Sequence, residues 1–300
     1  MTPVHLVLAT LVAVIWGLAF VATRLALDDF SPPALTALRF LIAALPAALL
    51  PPPRIAVRAL VLVGLTLFTG QFLFQFFGIA AGTPPGLASI VVQTQALFTI
   101  LFSALALGEH PTRPQWIGSA LAFAGLALIG ATVGGDLTAA GLCLTGMSAV
   151  SWAIGNVLVK RLPPVDTLGL MVWLSLVPPV PSLLLAALVD GPAALGRAVP
   201  AASWLGLGAA LYLGLIATTV AYAVWGRLLR HYPAATVAPF ALLVPFVAAG
   251  ASSLVFGERF GSVRLAGMAL VLLGLTVIVT RGGVPANERS TSTVSKPTIE

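Results

Sequence analysis

The sequence predicts an all-α integral membrane protein, in which ten transmembrane helices form two inverted five-helix repeats around a central cavity. Three observations support this prediction. Of the 300 residues, 59% are hydrophobic and only 8% are charged, whereas soluble domains carry about 25% charged residues. Apolar runs of about 20 residues, the length that crosses a bilayer, are separated by short segments rich in proline, glycine and charge. The second half of the chain also repeats residue patterns of the first half.

The boundaries of the predicted helices follow from these separating segments, because proline, glycine and charged residues favour helix ends. The ten predicted spans are residues 4–27, 33–50, 55–80, 84–107, 113–132, 137–160, 165–189, 201–229, 233–256 and 262–281. Residues 282–300 are polar and rich in Ser and Thr. This composition predicts a disordered tail.

The distribution of basic residues predicts the orientation of the chain. Ten of the 15 Lys and Arg residues fall on the side of the predicted spans that holds the N-terminus. Cytoplasmic loops of membrane proteins carry an excess of Lys and Arg. We therefore expect both termini, including the tail, to be cytoplasmic. The same distribution explains the net charge of +6 without a nucleic-acid partner.

Two residue patterns occur once in each half of the chain. Four residues of the first span recur 136 residues later: Val14, Trp16, Val21 and Arg24 become Val150, Trp152, Val157 and Lys160. Near the end of each half, a Gly-Glu pair precedes a glycine-spaced helix: Gly108-Glu109 with Gly118 and Gly125, and Gly257-Glu258 with Gly267 and Gly274. The repeats cover residues 4–132 and 137–281. Because each contains five spans, an odd number, the second must enter the membrane from the opposite face, as in many secondary transporters.

These patterns resemble the EamA repeats of the drug/metabolite transporter superfamily. In that family each five-helix unit opens with a Trp followed eight residues later by a basic residue, and closes with a Gly-Glu pair before a glycine-spaced helix. The resemblance extends over about residues 4–281 and is strongest to YddG-type amino-acid exporters. It implies a multi-pass protein of the bacterial inner membrane. It also implies a central cavity lined by spans 1, 3, 4, 6, 8 and 9, with spans 5 and 10 to the side.

Candidate substrate-binding residues are the polar and aromatic side chains of those six spans, because a polar solute needs groups at mid-membrane that replace water. The candidates are Trp16, Gln71, Gln75, Gln93, Ser148, Trp152, Asn156, Thr219, Tyr222 and Trp225. Gln71 and Gln75 share one helix face, whereas Gln93 and Gln95 diverge, so at most one of the latter pair is expected to face the cavity. For the amides, hydrogen bonding between helices is the alternative; for the aromatic residues, it is packing.

Charged residues and prolines give three further expectations. Lys160, at the cytoplasmic mouth, is a candidate to attract a substrate carboxylate, and a topology signal explains it equally well. Arg39, inside span 2, is expected to snorkel to the interface or to pair with Asp28 or Asp29. Prolines of spans 4 and 9 are expected to act as gating hinges, because proline weakens the helical hydrogen-bond ladder locally. These prolines are Pro85, Pro239 and Pro245.

The absence of acidic groups from the predicted midplane bears on mechanism. No Asp, Glu or His falls there, although proton-coupled carriers place such groups in the membrane. Amides and aromatic rings favour a small neutral or zwitterionic metabolite, such as an aromatic or hydrophobic amino acid. We therefore predict an exporter that works by alternating access without ion coupling. The alternatives are a proton antiporter of another substrate, such as a nucleoside or drug, and more remotely a passive channel or membrane scaffold.

The sequence argues against an enzyme. Catalysis in the membrane needs clustered His, Asp, Glu or Cys side chains at one depth, and the predicted spans contain no such cluster. Neither a metal nor a cofactor is expected. The expected partners are a small-molecule substrate and the lipid bilayer, and the protein is expected to act as a monomer.

Overall fold

The computed structural model describes residues 1–281, so the predicted tail 282–300 lies outside the described residues. Within residues 1–281 all regular structure is helical. We number the main helices in chain order: α1 (Pro3–Ala26), α2 (Pro32–Ala44), α3 (Val57–Ala80), α4 (Pro85–Leu107), α5 (Arg113–Gly130), α6 (Ala139–Lys160), α7 (Thr167–Val189), α8 (Pro192–Ala201), α9 (Trp204–His231), α10 (Ala238–Phe256) and α11 (Ser262–Arg281).

Eight of these helices are long and apolar enough to cross a membrane. They are α1, α3, α4, α6, α7, α9, α10 and α11. Helix α2, with its continuation Leu45–Ala48, is a shorter apolar helix, and α5 has 18 residues but is not among the eight. The described chain is therefore an all-α protein with several membrane-spanning candidates.

The structure departs from the predicted spans in the second half of the chain. The additional helix α8, Pro192–Ala201, occupies most of residues 190–200, which the sequence marks as a break between spans. Residues 175–178 interrupt α7, which is helical at Thr167–Leu174 and again at Pro179–Val189. Pro178 and Pro179 explain this interruption, because proline lacks an N–H donor and clashes with the preceding turn of a helix.

Irregular helical turns occur at corresponding positions of the two halves. Helix α3 is π-helical at Gly64–Gly70, and α9 is π-helical at Tyr212–Val220. Helix α4 is interrupted at Thr94, and α10 begins with a 3₁₀ turn at Ala238–Leu243. Irregular backbone at membrane depth is tolerated where it is buried in protein or lines a cavity, and π-helical turns are frequent at functional sites. These four helices therefore mark where a site is expected.

Threonine hydroxyls satisfy carbonyl groups within the π-helical turns. Thr69 donates a hydrogen bond to the Gly64 carbonyl at 3.2 Å, and Thr218 donates to the Leu213 carbonyl at 2.8 Å. In each case the carbonyl lies five residues earlier in the chain. Because lipid offers no hydrogen-bond partner, these side chains add internal hydrogen bonds to the irregular turns.

Helices α5 and α11 approach each other closely through glycines. A Cβ atom on Gly118 would lie 2.5 Å from the Gly274 carbonyl oxygen, and one on Gly125 would lie 2.5 Å from the Gly267 carbonyl oxygen. Small residues let helix backbones approach within a membrane, where packing replaces the hydrophobic effect as the driving force. The glycine pattern that closes each half therefore joins the two halves to each other.

The two Gly-Glu pairs end helices α4 and α10. Gly108 and Gly257 have φ angles of 69° and 68°, the left-handed conformation that glycine adopts without strain at a helix C-terminus. The two glutamates have different partners. Glu258 accepts a hydrogen bond from the Gly86 N–H at 3.3 Å, near the beginning of α4, whereas Glu109 forms an ion pair with α6.

Two carboxyl groups between the spans have shifted pKa values. Asp136 accepts hydrogen bonds from Arg264 at 2.8 and 3.0 Å, and these bonds lower the pKa of the Asp136 carboxyl. Burial raises the pKa of the Glu258 carboxyl, because the half-buried group loses the hydration that favours its charged form. The folded protein therefore binds a proton at Glu258 more readily than the unfolded chain does.

Replacing Gly125 by leucine should destabilise the contact between α5 and α11, because the first side-chain carbon would already clash with the Gly267 carbonyl. Overpacking of this kind costs about 1–3 kcal/mol. We expect a lower midpoint of thermal unfolding in detergent, measured by circular dichroism. Gly146→Leu is the matched control, because a Cβ atom on Gly146 meets no neighbouring atom within 4 Å. Equal midpoints for the two variants would contradict the close crossing.

Replacing Glu258 by glutamine should change how stability depends on pH. A carboxyl group with a raised pKa stabilises the folded state most at low pH, and that contribution is lost as the pH rises through its folded-state pKa. Relative to the wild type, the glutamine variant should therefore gain stability over the pH range that begins at the ordinary carboxyl pKa of 4.5 and ends above the raised folded-state pKa. Thermal midpoints of both proteins across this range test the prediction. A difference that does not change with pH would be inconsistent with the raised pKa.

Candidate functional site

A central cavity of about 240 Å³ lies between the helices that carry the irregular turns. Among residues 1–281 its lining comes from α1, α2, α3, α4, α6, α9 and α10, without a contribution from α5 or α11. The polar lining residues are Arg39, Gln71, Gln75, Ser89, Gln93 and Gln95. The aromatic lining residues are Trp16, Phe20, Phe72, Trp152, Tyr222 and Trp225. The wall is completed by Ala19, Val92, Ala241 and Val244.

Most of the candidate substrate-binding residues lie together at this cavity. Seven of the ten line it, namely Trp16, Gln71, Gln75, Gln93, Trp152, Tyr222 and Trp225. Ser148, Asn156 and Thr219 do not belong to the lining. The seven residues lie on α1, α3, α4, α6 and α9, which correspond to predicted spans 1, 3, 4, 6 and 8. Helix α10, which corresponds to predicted span 9, is the one helix of the set implied by the family resemblance that holds no substrate-binding candidate.

Two amide side chains on α3 form a buried pair. Gln71 is 1% exposed and Gln75 is 4% exposed. The Gln71 Nε2 group donates a hydrogen bond to Gln75 Oε1 at 2.7 Å. Among the described residues the Gln71 Oε1 atom has no hydrogen-bond partner. Because an unpaired buried carbonyl is costly, a hydrogen-bond donor that reached this oxygen would be favoured.

An aromatic cluster joins α1 to α9 at the cavity wall. The Trp16 ring centroid lies 5.1 Å from that of Trp225 and 5.3 Å from that of Tyr222. Trp16 Nε1 donates a hydrogen bond to the Ala217 carbonyl at 3.0 Å, within the π-helical turn of α9. The cluster is therefore held in place by a hydrogen bond, and its rings present an apolar surface on which a side chain could stack.

Arg39 differs from the expectation based on sequence. Its side chain does not reach the interface, because the residue is only 4% exposed. Asp28 forms an ion pair with Arg24 instead, and Asp29 accepts hydrogen bonds from Ser203. The expectation that Arg39 snorkels or pairs with one of these aspartates is therefore wrong.

The Arg39 guanidinium group instead points into the protein. Its Nε atom donates a hydrogen bond to Thr218 Oγ1 at 3.0 Å, which links α2 to α9. Its Cζ atom lies 3.9 Å from the centre of the Phe72 ring, a distance typical of a cation–π interaction. Phe72 in turn packs edge-on against Phe40 and Phe76. Helix α2, which the family resemblance does not include in the lining, thus contributes a charged residue to the cavity wall.

Three of the candidates lie outside the cavity lining. Asn156 Nδ2 donates hydrogen bonds to Gln95 Oε1 at 2.9 Å and to Thr99 Oγ1 at 3.2 Å, which joins α6 to α4. Ser148 is fully buried, and its hydroxyl group has no partner among the described residues. Thr219 donates to a carbonyl of its own helix at 3.3 Å. Asn156 therefore reaches the cavity only through Gln95, a lining residue.

Lys160 lies outside the cavity lining. Its Nζ atom is 2.9 Å from both carboxylate oxygens of Glu109, and it donates a hydrogen bond to Ser103 Oγ at 3.0 Å. The ammonium group that was a candidate for attracting a substrate carboxylate thus has a carboxylate partner within the protein.

Two of the three hinge candidates lie in or next to the 3₁₀ turn of α10. Pro85 begins α4, Pro239 lies in the 3₁₀ turn of α10, and Pro245 lies in the first turn of the α-helical part of α10. Gln93 Nε2 donates a hydrogen bond to the Ala241 carbonyl at 3.3 Å. This bond connects the interruption of α4 to the 3₁₀ turn of α10, so the two irregular segments contact each other at the cavity wall.

Several lining residues were not identified from the sequence. Arg39 could have been identified from the sequence, because a basic residue inside an apolar run of a membrane span suggests a functional role. Gln95 lines the cavity together with the candidate Gln93, so the expectation that at most one of the two faces it is wrong, although a regular helix would point them apart. The interruption at Thr94 changes their relative direction. Ser89 and Phe72 carried no comparable signal, because serine and phenylalanine are common in helix packing.

The described lining of the cavity carries a single positive charge. Among residues 1–281, Arg39 is the one charged side chain of the lining, which holds no Asp, Glu or His. The same residues contain no group of three His, Cys, Asp or Glu side chains that could hold a metal ion. A solute in this cavity would therefore meet amides, aromatic rings and one guanidinium group.

Known proteins resemble the chain over nearly its whole length. It is 38% identical over 279 residues to a probable amino-acid metabolite efflux pump of Salmonella typhimurium, covering 91% of this chain and 93% of the relative. A protein of the same description from Escherichia coli is 37% identical over 280 residues, covering 91% and 94%. A probable terminal-alkyne amino-acid exporter of Streptantibioticus cattleyicolor is 29% identical over 283 residues, covering 90% and 92%.

A solved structure shares the fold of this chain, and a family profile matches its sequence. One solved crystal structure superposes with a TM-score of 0.61 over 92% of this chain and 96% of that chain, at 19% identity, a likeness that concerns the fold alone. The profile of the EamA-like transporter family matches residues 4–131 and 139–280. With the Trp and Gly-Glu motifs of both halves inside these matched segments, the chain belongs to the EamA-like transporter family.

Proposed function

We propose that this chain exports small zwitterionic metabolites, chiefly aromatic or hydrophobic amino acids, across the bacterial inner membrane. The observation that carries the proposal is a cavity wall that combines a buried amide pair with a cluster of aromatic rings. The amides replace part of the hydration of a polar solute, and the rings receive its apolar side chain. The names of the relatives, which describe amino-acid efflux pumps and an amino-acid exporter, support the same substrate class.

The size of the cavity also favours a substrate of amino-acid size. Its volume of about 240 Å³ is below the range of about 300–1,000 Å³ for typical pockets that bind drug-sized ligands. A nucleotide sugar or a bulky drug would need more room. A phosphate group would in addition need several basic side chains around it, and within the described lining Arg39 is the only one.

The proposed architecture has ten spans in two inverted repeats, residues 4–132 and 137–281. It counts α2 and α5 as spans, in addition to the eight helices that meet the criteria of length and composition. The matching irregular turns of α3 and α9, and of α4 and α10, support a duplicated fold. The excess of Lys and Arg on one side supports cytoplasmic termini.

Alternating access is the proposed mechanism. On the side of the cavity where α4 begins, α10 is in close contact with α1 and α4. A Cβ atom on Gly17 would lie 2.6 Å from Val247 Cβ, and one on Gly86 would lie 2.9 Å from Ala249 Cα. Opening this side requires α10 to move away from both helices. The proposed hinges are the 3₁₀ turn of α10 with Pro239, the adjacent Pro245, and the interruption of α4.

The proposed transport is not coupled to an ion. Proton-coupled carriers use acidic or histidine side chains inside the membrane, and the described lining contains none. Export then follows the concentration gradient of the substrate.

Counterflow in proteoliposomes tests the proposal. We expect saturable uptake of labelled phenylalanine that is driven by unlabelled aromatic or aliphatic amino acid inside the vesicles and is insensitive to an imposed pH gradient. Linear, unsaturable flux would indicate a channel, and uptake driven by the pH gradient would indicate proton antiport. Absence of counterflow for every amino acid would refute the proposed substrate class.

Replacing Gln75 by alanine should slow counterflow, because Gln75 lines the cavity and positions Gln71. Loss of a hydrogen bond to a charged group costs about 1.5–3 kcal/mol, which corresponds to roughly 10–100-fold in transport efficiency. Gln115→Ala is the matched control, since Gln115 caps the beginning of α5 outside the cavity, and its flux should be unchanged. Normal flux in the folded Gln75 variant would place the binding site away from α3.

A further inference from the structure

We infer that Arg39 is the carboxylate-binding group of the cavity, so that the transported solutes carry a carboxylate. The inference rests on the proposed function and narrows the substrate class of the same site. It follows from the comparison of two buried arginines, from the hydrogen-bond donors that Arg39 leaves unused, and from an acceptor elsewhere in the cavity wall.

The described residues contain two buried arginines, Arg39 at 4% and Arg264 at 6% exposure. Arg264 has a counter-charge, because its terminal nitrogens donate to the Asp136 carboxylate at 2.8 and 3.0 Å. Arg39 forms no ion pair with any residue of 1–281. A buried charge without a partner is unfavourable, and arginine does not escape this cost by losing its proton. The cavity wall therefore carries a positive charge that an anionic group would stabilise.

The guanidinium group also has donors available. It carries five N–H groups in a planar fork, and in residues 1–281 its recorded hydrogen bond is the one from Nε to Thr218. The Phe72 ring, 3.9 Å from Cζ, covers one face of the plane. The edge with the terminal nitrogens remains for a ligand. Two parallel N–H groups of a guanidinium match the two oxygens of a carboxylate, which selects a carboxylate over a neutral amide.

The rest of an amino acid finds matching groups in the same wall. Gln71 Oε1, buried and without a partner among the described residues, is an acceptor for an ammonium group. The rings of Trp16, Tyr222 and Trp225 offer an apolar surface for the side chain. With the carboxylate at Arg39, the three parts of a zwitterionic amino acid each have a group of suitable chemistry in one cavity.

Arg39 could instead act only as a tether between α2 and α9 through Thr218. The experiment separates the two roles by varying the ligand as well as the protein. The measurement is the inhibition of labelled phenylalanine counterflow by two unlabelled compounds. These are phenylalanine and phenylalaninamide, in which an amide replaces the carboxylate. The variants are Arg39→Gln, Arg39→Lys and Thr218→Val, and the matched control is Arg113→Gln, which makes the same chemical change at an exposed position outside the cavity.

The wild type and the Arg113 control should prefer phenylalanine over its amide by about 10–100-fold. Arg39→Gln should abolish this preference, and Arg39→Lys should retain part of it, because lysine keeps the charge but not the planar fork. Thr218→Val should lower thermal stability and keep the preference. A preference that is equal in the wild type and in Arg39→Gln, or that Thr218→Val abolishes as well, would overturn the inference.

Two further results keep the test decisive. If Arg39→Gln does not fold, equal inhibition of the wild type by phenylalanine and phenylalaninamide would by itself overturn the inference. If the wild type transports no amino acid, the proposed function fails, and Arg39 is tested by binding. In that case 3-phenylpropionate should quench the tryptophan fluorescence of the wild type at lower concentration than 3-phenylpropionamide does, and Arg39→Lys should reduce the difference. No difference in the wild type would refute the role of Arg39.

Discussion

Lipid offers no hydrogen-bond partner, and this constraint explains where the polar residues of the described chain lie. Regular helices satisfy their own backbone, so they can face lipid with apolar side chains. Where the helices are irregular, side chains add hydrogen bonds to backbone carbonyls. Thr69 and Thr218 donate to carbonyls of the π-helical turns, and Trp16 donates to the Ala217 carbonyl. The cavity lies among these turns, so the same departures from regular helix that need internal partners also bring polar groups together at one site.

Two pairs of helices make contacts of different kinds. Helices α5 and α11 meet through glycines at backbone distance, the close packing that small residues allow. Helices α4 and α10 meet at their irregular segments through the hydrogen bond from Gln93 to the Ala241 carbonyl. Both of these helices contribute lining residues to the cavity. Under the proposed alternating access, a bound solute would therefore contact the two segments that bend.

The helix positions were largely predictable because clusters of proline, glycine and charged residues favour helix ends. The sixth predicted span, residues 137–160, corresponds to the helix Ala139–Lys160. The amide pair of α3 was predictable from its spacing alone. The surroundings of Arg39 were not, because they depend on how α2 packs against α3 and α9 rather than on its neighbours in sequence. Gln93 and Gln95 both face the cavity because the helix is interrupted at Thr94. The sequence has no proline or glycine there that would predict the interruption.

The central claim of this account is that two oppositely inserted halves enclose one cavity. His110 and Arg259 test it directly, because they follow the Gly-Glu pairs of the two halves and are both exposed. The measurement is the labelling of His110→Cys and Arg259→Cys by a membrane-impermeant maleimide in intact cells, with the exposed Cys143 replaced by serine. The account predicts that the cysteine at position 259 is labelled and that the one at position 110 is labelled only after permeabilisation. Labelling of both in intact cells would place the two motifs on the same side of the membrane and contradict the inverted repeat.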